Sequence, residues 1–484
     1  MPTQTKKITL DTAAIFFGKV VGLIFGMARL SYLATYLGLA NFGILNFALY
    51  FCSLFQVLFD FGMSQLLTRD IARDVSKSAE LVGRIIILKI IIVIIAGAIV
   101  GLIGIVLHFD NQTNWAILLT TVVFAINGIS MIFLSAFQAH RKMALVSVSN
   151  ILNDLLLSIF VILLIKSSPF VITVLILSIL VSVANMLFLY VMYIKTIGIP
   201  RLCFDRKLWT NFMKDSTPIA MNSLGVSLYM FIGPTVLKYT RGDVEVGIYT
   251  AGYKLVSILM LIPMAYSQVV YPIFSEFYSA TAEKLSKALN DSLRIMLIIA
   301  FPVAVGIILL APQLFAIIFP SEFNPGIIIL QLGIISIIVA YLNWVTATFL
   351  MAINRQSLLM FLSILIGAAT AALSVIIVPK HGYIVLPLMM IGIEFLIFIV
   401  HRLYLQKISY GNLSIISVVK PFISALVMGI LLVLLSGLNF FLIVFMGAVV
   451  YLIVLYLIGG FGEQEKELLN RLIFDPMRNK MSAK

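Results

Sequence analysis

The stretch FFGKVVGLIFGMARLSYLATYLG, Phe16 to Gly38, is apolar for long enough to cross a bilayer, yet it carries Lys19 and Arg29. At 1.5 Å rise per residue, about 20 such residues span roughly 30 Å of hydrocarbon. Comparable runs recur to the end of the chain. Of its 484 residues 62% are hydrophobic and only 11% charged, and the mean hydropathy is +1.13. Soluble domains average about 25% charged residues. A membrane-embedded, helical protein is predicted, with no separate soluble domain. The leading MPTQTKKITLD is followed by an apolar run too long for a signal-peptide core, so the first helix is expected to be retained.

Apolar windows between polar breaks predict about fourteen transmembrane helices: near 11 to 36, 41 to 66, 84 to 108, 114 to 138, 146 to 166, 170 to 194, 217 to 238, 247 to 273, 292 to 318, 327 to 352, 357 to 378, 382 to 401, 418 to 436 and 438 to 460. Placing the N-terminus in the cytoplasm puts about 25 Lys and Arg residues in the inner loops and tail, from Lys6 and Lys7 to Lys484. Only Lys166, Lys238, Arg241 and Lys380 fall in the outer loops. This asymmetry predicts a multi-pass protein of the plasma (inner) membrane with both termini in the cytoplasm. It also explains the net charge of +13 without nucleic acid as a partner.

The longest loop between helices, KTIGIPRLCFDRKLWTNFMKD from Lys195 to Asp215, follows the sixth helix. The segments on either side are weakly alike. FGILNFALYFCSLFQVLFDFGMSQLL from Phe42 parallels VGIYTAGYKLVSILMLIPMAYSQVVYPIF from Val246, matching Gly43 with Gly247 and Ser64-Gln65 with Ser267-Gln268. Because six is even, both copies cross the membrane in the same sense, which predicts an all-α transporter built as a parallel pseudo-repeat. The expected domains are an N-terminal six-helix lobe (1–195), a cytoplasmic inter-lobe loop (196–216), a C-terminal six-helix lobe (217–405), and two further helices with a cytoplasmic tail (406–484).

A Lys or Arg at mid-bilayer costs about 2.5 to 3.5 kcal/mol on insertion scales. Lys19, Arg29 and Lys254 are therefore expected to face water, a partner or a ligand. At 100° per residue Lys19 and Arg29 lie about 80° apart around the helix and about 15 Å apart in height, so one cavity suits both. Gly18, Gly22 and Gly26 form a small-xxx-small ridge beside them, a pattern that permits close helix approach. The competing reading pairs these cations with Asp60, Asp154 or Glu394, the acids inside helices, with Asp60 a candidate partner of Lys19. For Arg29 no acid is expected at its depth. Lys89, one turn into its helix, is expected to snorkel.

Signals of catalysis are sparse. The four histidines, His108, His140, His381 and His401, lie at helix ends, and no HExxH, GxSxG or P-loop occurs. Asp243 and Glu245 on an outer loop have the spacing of a metal-binding acid pair, but in a turn such a pair is more often solvated charge. Cys52 and Cys203 supply neither a disulfide framework nor a zinc spacing. No catalytic residue, metal site or cofactor is expected.

DFGMSQLLTRDIARD (Asp60 to Asp74) resembles the segment that closes the second helix of the polysaccharide-transport, Wzx-type oligosaccharide flippases of the multidrug/oligosaccharidyl-lipid/polysaccharide exporter superfamily. VGIYTAGYKLVSILMLIPMAYSQVVYPIFSEF from Val246 is similar to that family's eighth helix, and LIIAFPVAVGIILLAPQLFAIIFPSEFNPG from Leu297 to its ninth helix and following turn. The likeness runs the length of the chain. It implies two six-helix lobes around a cationic cavity that opens alternately to each side, translocating a polyprenyl-diphosphate-linked oligosaccharide outward for cell-surface polysaccharide assembly. Implied partners are the lipid-linked anionic oligosaccharide, the bilayer and glycan polymerase or assembly proteins, with the chain itself a monomer. One departure is MFIGPTVLKY from Met230, where Gly233 and Pro234 predict a bend in place of the family's polar or acidic residue.

Within this reading Arg29, Lys19 and Lys254 bind the diphosphate or acidic sugars, and the membrane potential alone drives export. Asp60, Asp154 and Glu394 support a rival, an ion-coupled multidrug exporter, in which buried acids bind cations or protons. A second rival, a membrane glycosyltransferase or polymerase, requires a larger outer loop than any of those expected here.

Overall fold

The structure, a computed structural model, describes residues 22–279, 281–410, 414–435 and 437–461. Among them there is no strand. The helices in chain order are α1 (Pro2–Leu54), α2 (Gln56–Asp60), α3 (Met63–Arg73), α4 (Ser78–Val106), α5 (Asn111–Ala139), α6 (Met143–Leu164), α7 (Val171–Thr196) and α8 (Arg206–Arg241). They continue as α9 (Asp243–Leu259), α10 (Leu261–Tyr278), α11 (Ala282–Ile318), α12 (Ile327–Ala352), α13 (Gln356–His381), α14 (Val385–Lys407), α15 (Ile415–Leu434) and α16 (Phe440–Leu457).

Twelve continuous stretches among the described residues are long and apolar enough to cross a bilayer. Two of them contain two spans each. Gly22–Leu54 bends at Gly38, whose φ of 70° and ψ of 172° lie outside the helical region. Gln356–Lys407 is interrupted by the 3-10 turn Gly382–Ile384. The described residues thus form an all-helical, polytopic membrane fold, as the hydropathy pattern predicts. Lipid satisfies no backbone polar group, so a chain this apolar closes its hydrogen bonds within helices.

By Cα proximity the chain forms two compact units. The first comprises Met1–Ala251, Phe315–Gly326 and Ser357–Leu386. In it α1 packs on α5, α6 and α8, and α5 packs on α4 and α7. A core of Leu66, Ile71, Val82, Phe137, Tyr193 and Trp209 ties α3, α4, α5, α7 and α8 together. The second unit comprises Gly252–Leu314, Ile327–Gln356 and Pro387–Lys484. There α12 packs on α10, the Tyr341 hydroxyl of α12 donates at 2.7 Å to the carbonyl of Leu259, the last residue of α9, and α15 pairs with α16.

In the first unit the two glycines matched by the repeat meet each other's segment. A Cβ on Gly43 would collide with the Asp243 carbonyl, and one on Gly247 would collide with the Leu39 carbonyl. Each of these carbonyls lies four residues ahead of the equivalent glycine, so the contact is reciprocal. Two helix backbones approach this closely only where both lack a side chain.

The span expected near 41 to 66 is not one straight helix. It breaks after Asp60, where Phe61 (φ 51°) and Gly62 (φ 71°) are both left-handed. α8, by contrast, stays helical through Gly233 and Pro234, with Gly233 packed against Leu386.

Candidate substrate-binding site

Arg29 projects from α1, which packs along α6. Its guanidinium is half-buried, and Nη1 is enclosed with no hydrogen-bond partner among the described residues. Asp154 of α6 lies within electrostatic reach of it. The Asp154 carboxylate occupies the space that Gly22 leaves open, 3.4 Å from where a Cβ on Gly22 would stand. The expectation that no acid lies at the depth of Arg29 is therefore corrected. Helical side chains tilt toward the N-terminus, so a long arginine carries its charge well below its own Cα. The glycine ridge does not act as a helix-packing seam at the positions described. Gly22 faces a carboxylate and Gly26 faces open space, while the side chains before residue 22, including those at Gly18 and Lys19, lie outside the described residues.

Lys89 of α4 is 0% exposed and does not snorkel. Its ammonium donates to Asp60 Oδ1 at 2.7 Å and lies 3.4 Å from the Asp60 carbonyl, a group freed by the helix break that follows. Ser64 also donates to Asp60 Oδ1. Asp60 thus takes Lys89 as its partner, where the sequence offers Lys19. The cation is spent on the scaffold.

Glu394 of α14 is buried in the second unit, where Oε2 accepts from Asn343 Nδ2 at 2.7 Å. The same amide donates to the Glu394 carbonyl at 2.8 Å. Lys254 of α9 is half-buried and belongs to this second unit, whereas Arg29, Asp60 and Asp154 belong to the first.

A further charged cluster was missed by sequence reasoning. Lys238, assigned to an outer loop, ends inside α8 at 7% exposure. Its ammonium donates to Thr113 Oγ1 at 3.0 Å, to Asp110 Oδ1 at 3.4 Å and to Asp243 Oδ1. Asp110 also caps α5 through the Thr113 amide at 3.0 Å. Burial opposes the charge of Asp110, but its bonds from Thr113 and Lys238 outweigh that and hold the carboxyl below its usual range. Glu245 Oε2 accepts from the Tyr383 amide at 3.0 Å. Asp243 and Glu245 are therefore neither a metal pair nor solvated charge, since each serves a structural partner. The Asp110-x-x-Thr113 capping pattern was the available signal for the cluster.

Every charge of these clusters except Glu394 lies within residues 8–278, the span matched by the sequence model described as polysaccharide biosynthesis protein. That match covers more than half of the chain. The chain belongs to the polysaccharide biosynthesis protein family. No curated protein matches the whole sequence significantly. Among solved structures, this family member is similar to the lipid II flippase MurJ in an inward closed conformation, with 18% identity and a TM-score of 0.73 over 92% of this chain and 98% of that one. It is also similar to an inward-facing multidrug resistance MATE transporter of the MOP superfamily, with 15% identity and a TM-score of 0.65 over 80% and 95% of the two chains. An outward-facing MATE transporter of the same superfamily matches at 16% identity and a TM-score of 0.56, over 81% and 93%. At these identities the likeness is one of fold, and that fold occurs in conformations open to either side.

Proposed function

We propose that this polysaccharide biosynthesis protein is a flippase that carries a polyprenyl-diphosphate-linked oligosaccharide from the cytoplasmic to the outer leaflet of the plasma membrane by alternating access. Family membership and the shared fold of a lipid II flippase support the lipid-linked class of substrate. The observation that carries the reading is Arg29 Nη1, an enclosed donor with no acceptor in an apolar helix. A planar guanidinium grips phosphate oxygens through two parallel bonds, whereas a lysine offers a point charge. Arg29 binds the diphosphate or an acidic sugar, with Lys19 and Lys254 as further cations. Asp154 balances the Arg29 charge when the substrate is away. No covalent bond is made or broken in this cycle, so no catalytic residue is required. Both termini lie in the cytoplasm, and assembly enzymes take over the glycan on the outer side.

The test is depletion of the protein in its host. Lipid-linked oligosaccharide is expected to accumulate on the cytoplasmic leaflet; no accumulation overturns the reading. Arg29→Ala is expected to lower headgroup flux in proteoliposomes at least tenfold, consistent with one charge-assisted contact of 1.5 kcal/mol or more, by a rough estimate. Full flux in that variant removes Arg29 from the site.

A second reading, an ion-coupled exporter of cations, is favoured by Asp154 beside Arg29 and by the MATE transporters that share the fold. It predicts drug efflux that disappears in Asp154→Asn, with no change in lipid-linked glycan.

A further inference from the structure

We propose that the strap joining α7 to α8 is a membrane-surface anchor that engages anionic phospholipid. α7 ends at Thr196 and α8 begins at Arg206, and both helices are long and apolar enough to cross the bilayer. The strap is fastened beside Gly83 and Arg84, where the apolar run of α4 begins, which sets it at the membrane face. Residues 198–205 have no regular structure, yet their backbone is pinned. The Arg201 amide donates to the Ala79 carbonyl at 3.0 Å, and the Arg201 backbone lies so close over Gly83 that a Cβ there would collide with it. Arg84 pairs with Asp205 at 3.0 Å, Asp205 caps α8 through the Leu208 amide at 2.9 Å, and Trp209 Nε1 donates to the Arg84 carbonyl at 2.9 Å.

Because the backbone is fixed, the direction of its side chains is fixed as well. Ile199, Leu202 and Phe204 point outward, 70%, 68% and 67% exposed. Lys195, Arg201, Arg206 and Lys207 are exposed around them. The single acid between residues 197 and 207 is Asp205, already committed to Arg84 and to the α8 cap. Three large apolar side chains held out of the core amid uncompensated cations form a poor surface in water. At a headgroup boundary the same surface buries its apolar tips in the acyl region and sets its cations against lipid phosphates. The occupant is therefore a lipid surface of negative charge, and its binding does not depend on the role of Arg29.

Native Cys203, between Leu202 and Phe204, is exposed and Cys52 is buried, so the full chain takes a nitroxide at Cys203 alone. The labelled protein is reconstituted into phosphatidylcholine vesicles with or without about a third of phosphatidylglycerol, and depth is read from relaxation by oxygen against a water-soluble nickel chelate. The expected result is a label shielded from nickel and accessible to oxygen, and more so with phosphatidylglycerol. Arg201→Gln with Arg206→Gln and Lys207→Gln is expected to abolish the difference between the two lipids. Ile199→Ser with Leu202→Ser is expected to leave the label in water in both. A label in water in the mixed vesicles of the parent protein overturns the anchor. Equal depth in both lipids overturns its preference for anionic headgroups.

Discussion

Lys89 and Arg29 both place a basic side chain in an apolar helix, and the groups their donors meet differ. Lys89 is enclosed on Asp60, with an oxygen of the carboxylate at 2.7 Å. Removing one member of such a pair strands the other, at a cost of about 3 kcal/mol. Lys89→Met is therefore expected to lower the thermal stability of the detergent-solubilised protein clearly, and Lys89→Met with Asp60→Asn to recover much of it. Unchanged melting in the single variant would show that Asp60 is not held by this pair. Arg29 has an acid within reach but keeps an enclosed donor unused. The sequence marks Arg29 as a costly cation and reads Lys89 as snorkelling; it does not show what either meets, because the partner comes from another helix in each case.

At the scale of elements, the reciprocal seating of Gly43 and Gly247 holds the segment after Gly38 against the start of α9. A side chain at either glycine forces these backbones apart, and overpacking of this kind costs about 1 to 3 kcal/mol. Gly43→Leu is expected to open this seam and expose Lys238 to an aqueous amine reagent, whereas in the parent protein Lys238 is protected. Labelling that stays at the parent level would place the constraint elsewhere. The same rim has a defined pH response. Asp110 has its carboxyl held below the usual range, so it stabilises the fold above about pH 4, the unfolded carboxylate value. That contribution is lost as pH falls through the lower folded-state value. The protection factor against hydrogen exchange at the start of α5, the rate relative to the unfolded chain at each pH, is expected to be flat across the neutral range and to fall only in strong acid. A fall in protection between pH 7 and 5 would contradict this sign.

On the scale of the whole molecule, the relevant field is the membrane potential. With the cytoplasm negative, an anionic headgroup moving outward is favoured by about 2.3 kcal/mol per charge per 100 mV. The return of an empty cationic site toward the inside is favoured by the same field. Headgroup flux in proteoliposomes is thus expected to rise with an inside-negative clamp in the direction of export and to need no ion gradient. Flux indifferent to the clamped potential would remove voltage as the drive.

Hydropathy and the matched glycines determined the fold class by themselves, since spans of about 20 apolar residues have few alternatives in lipid and near-contact of backbones requires glycine. The sequence also flagged Arg29, because an intramembrane charge is costly wherever it points. What only the tertiary structure decided is which charges are spent: Asp154 opposite Arg29, Asp60 on Lys89, and Lys238 drawn in from an expected loop. Those pairings join residues from 5 to about 130 positions apart. Period and hydropathy report on one helix at a time, whereas a pairing depends on how helices rotate and settle against each other once packed.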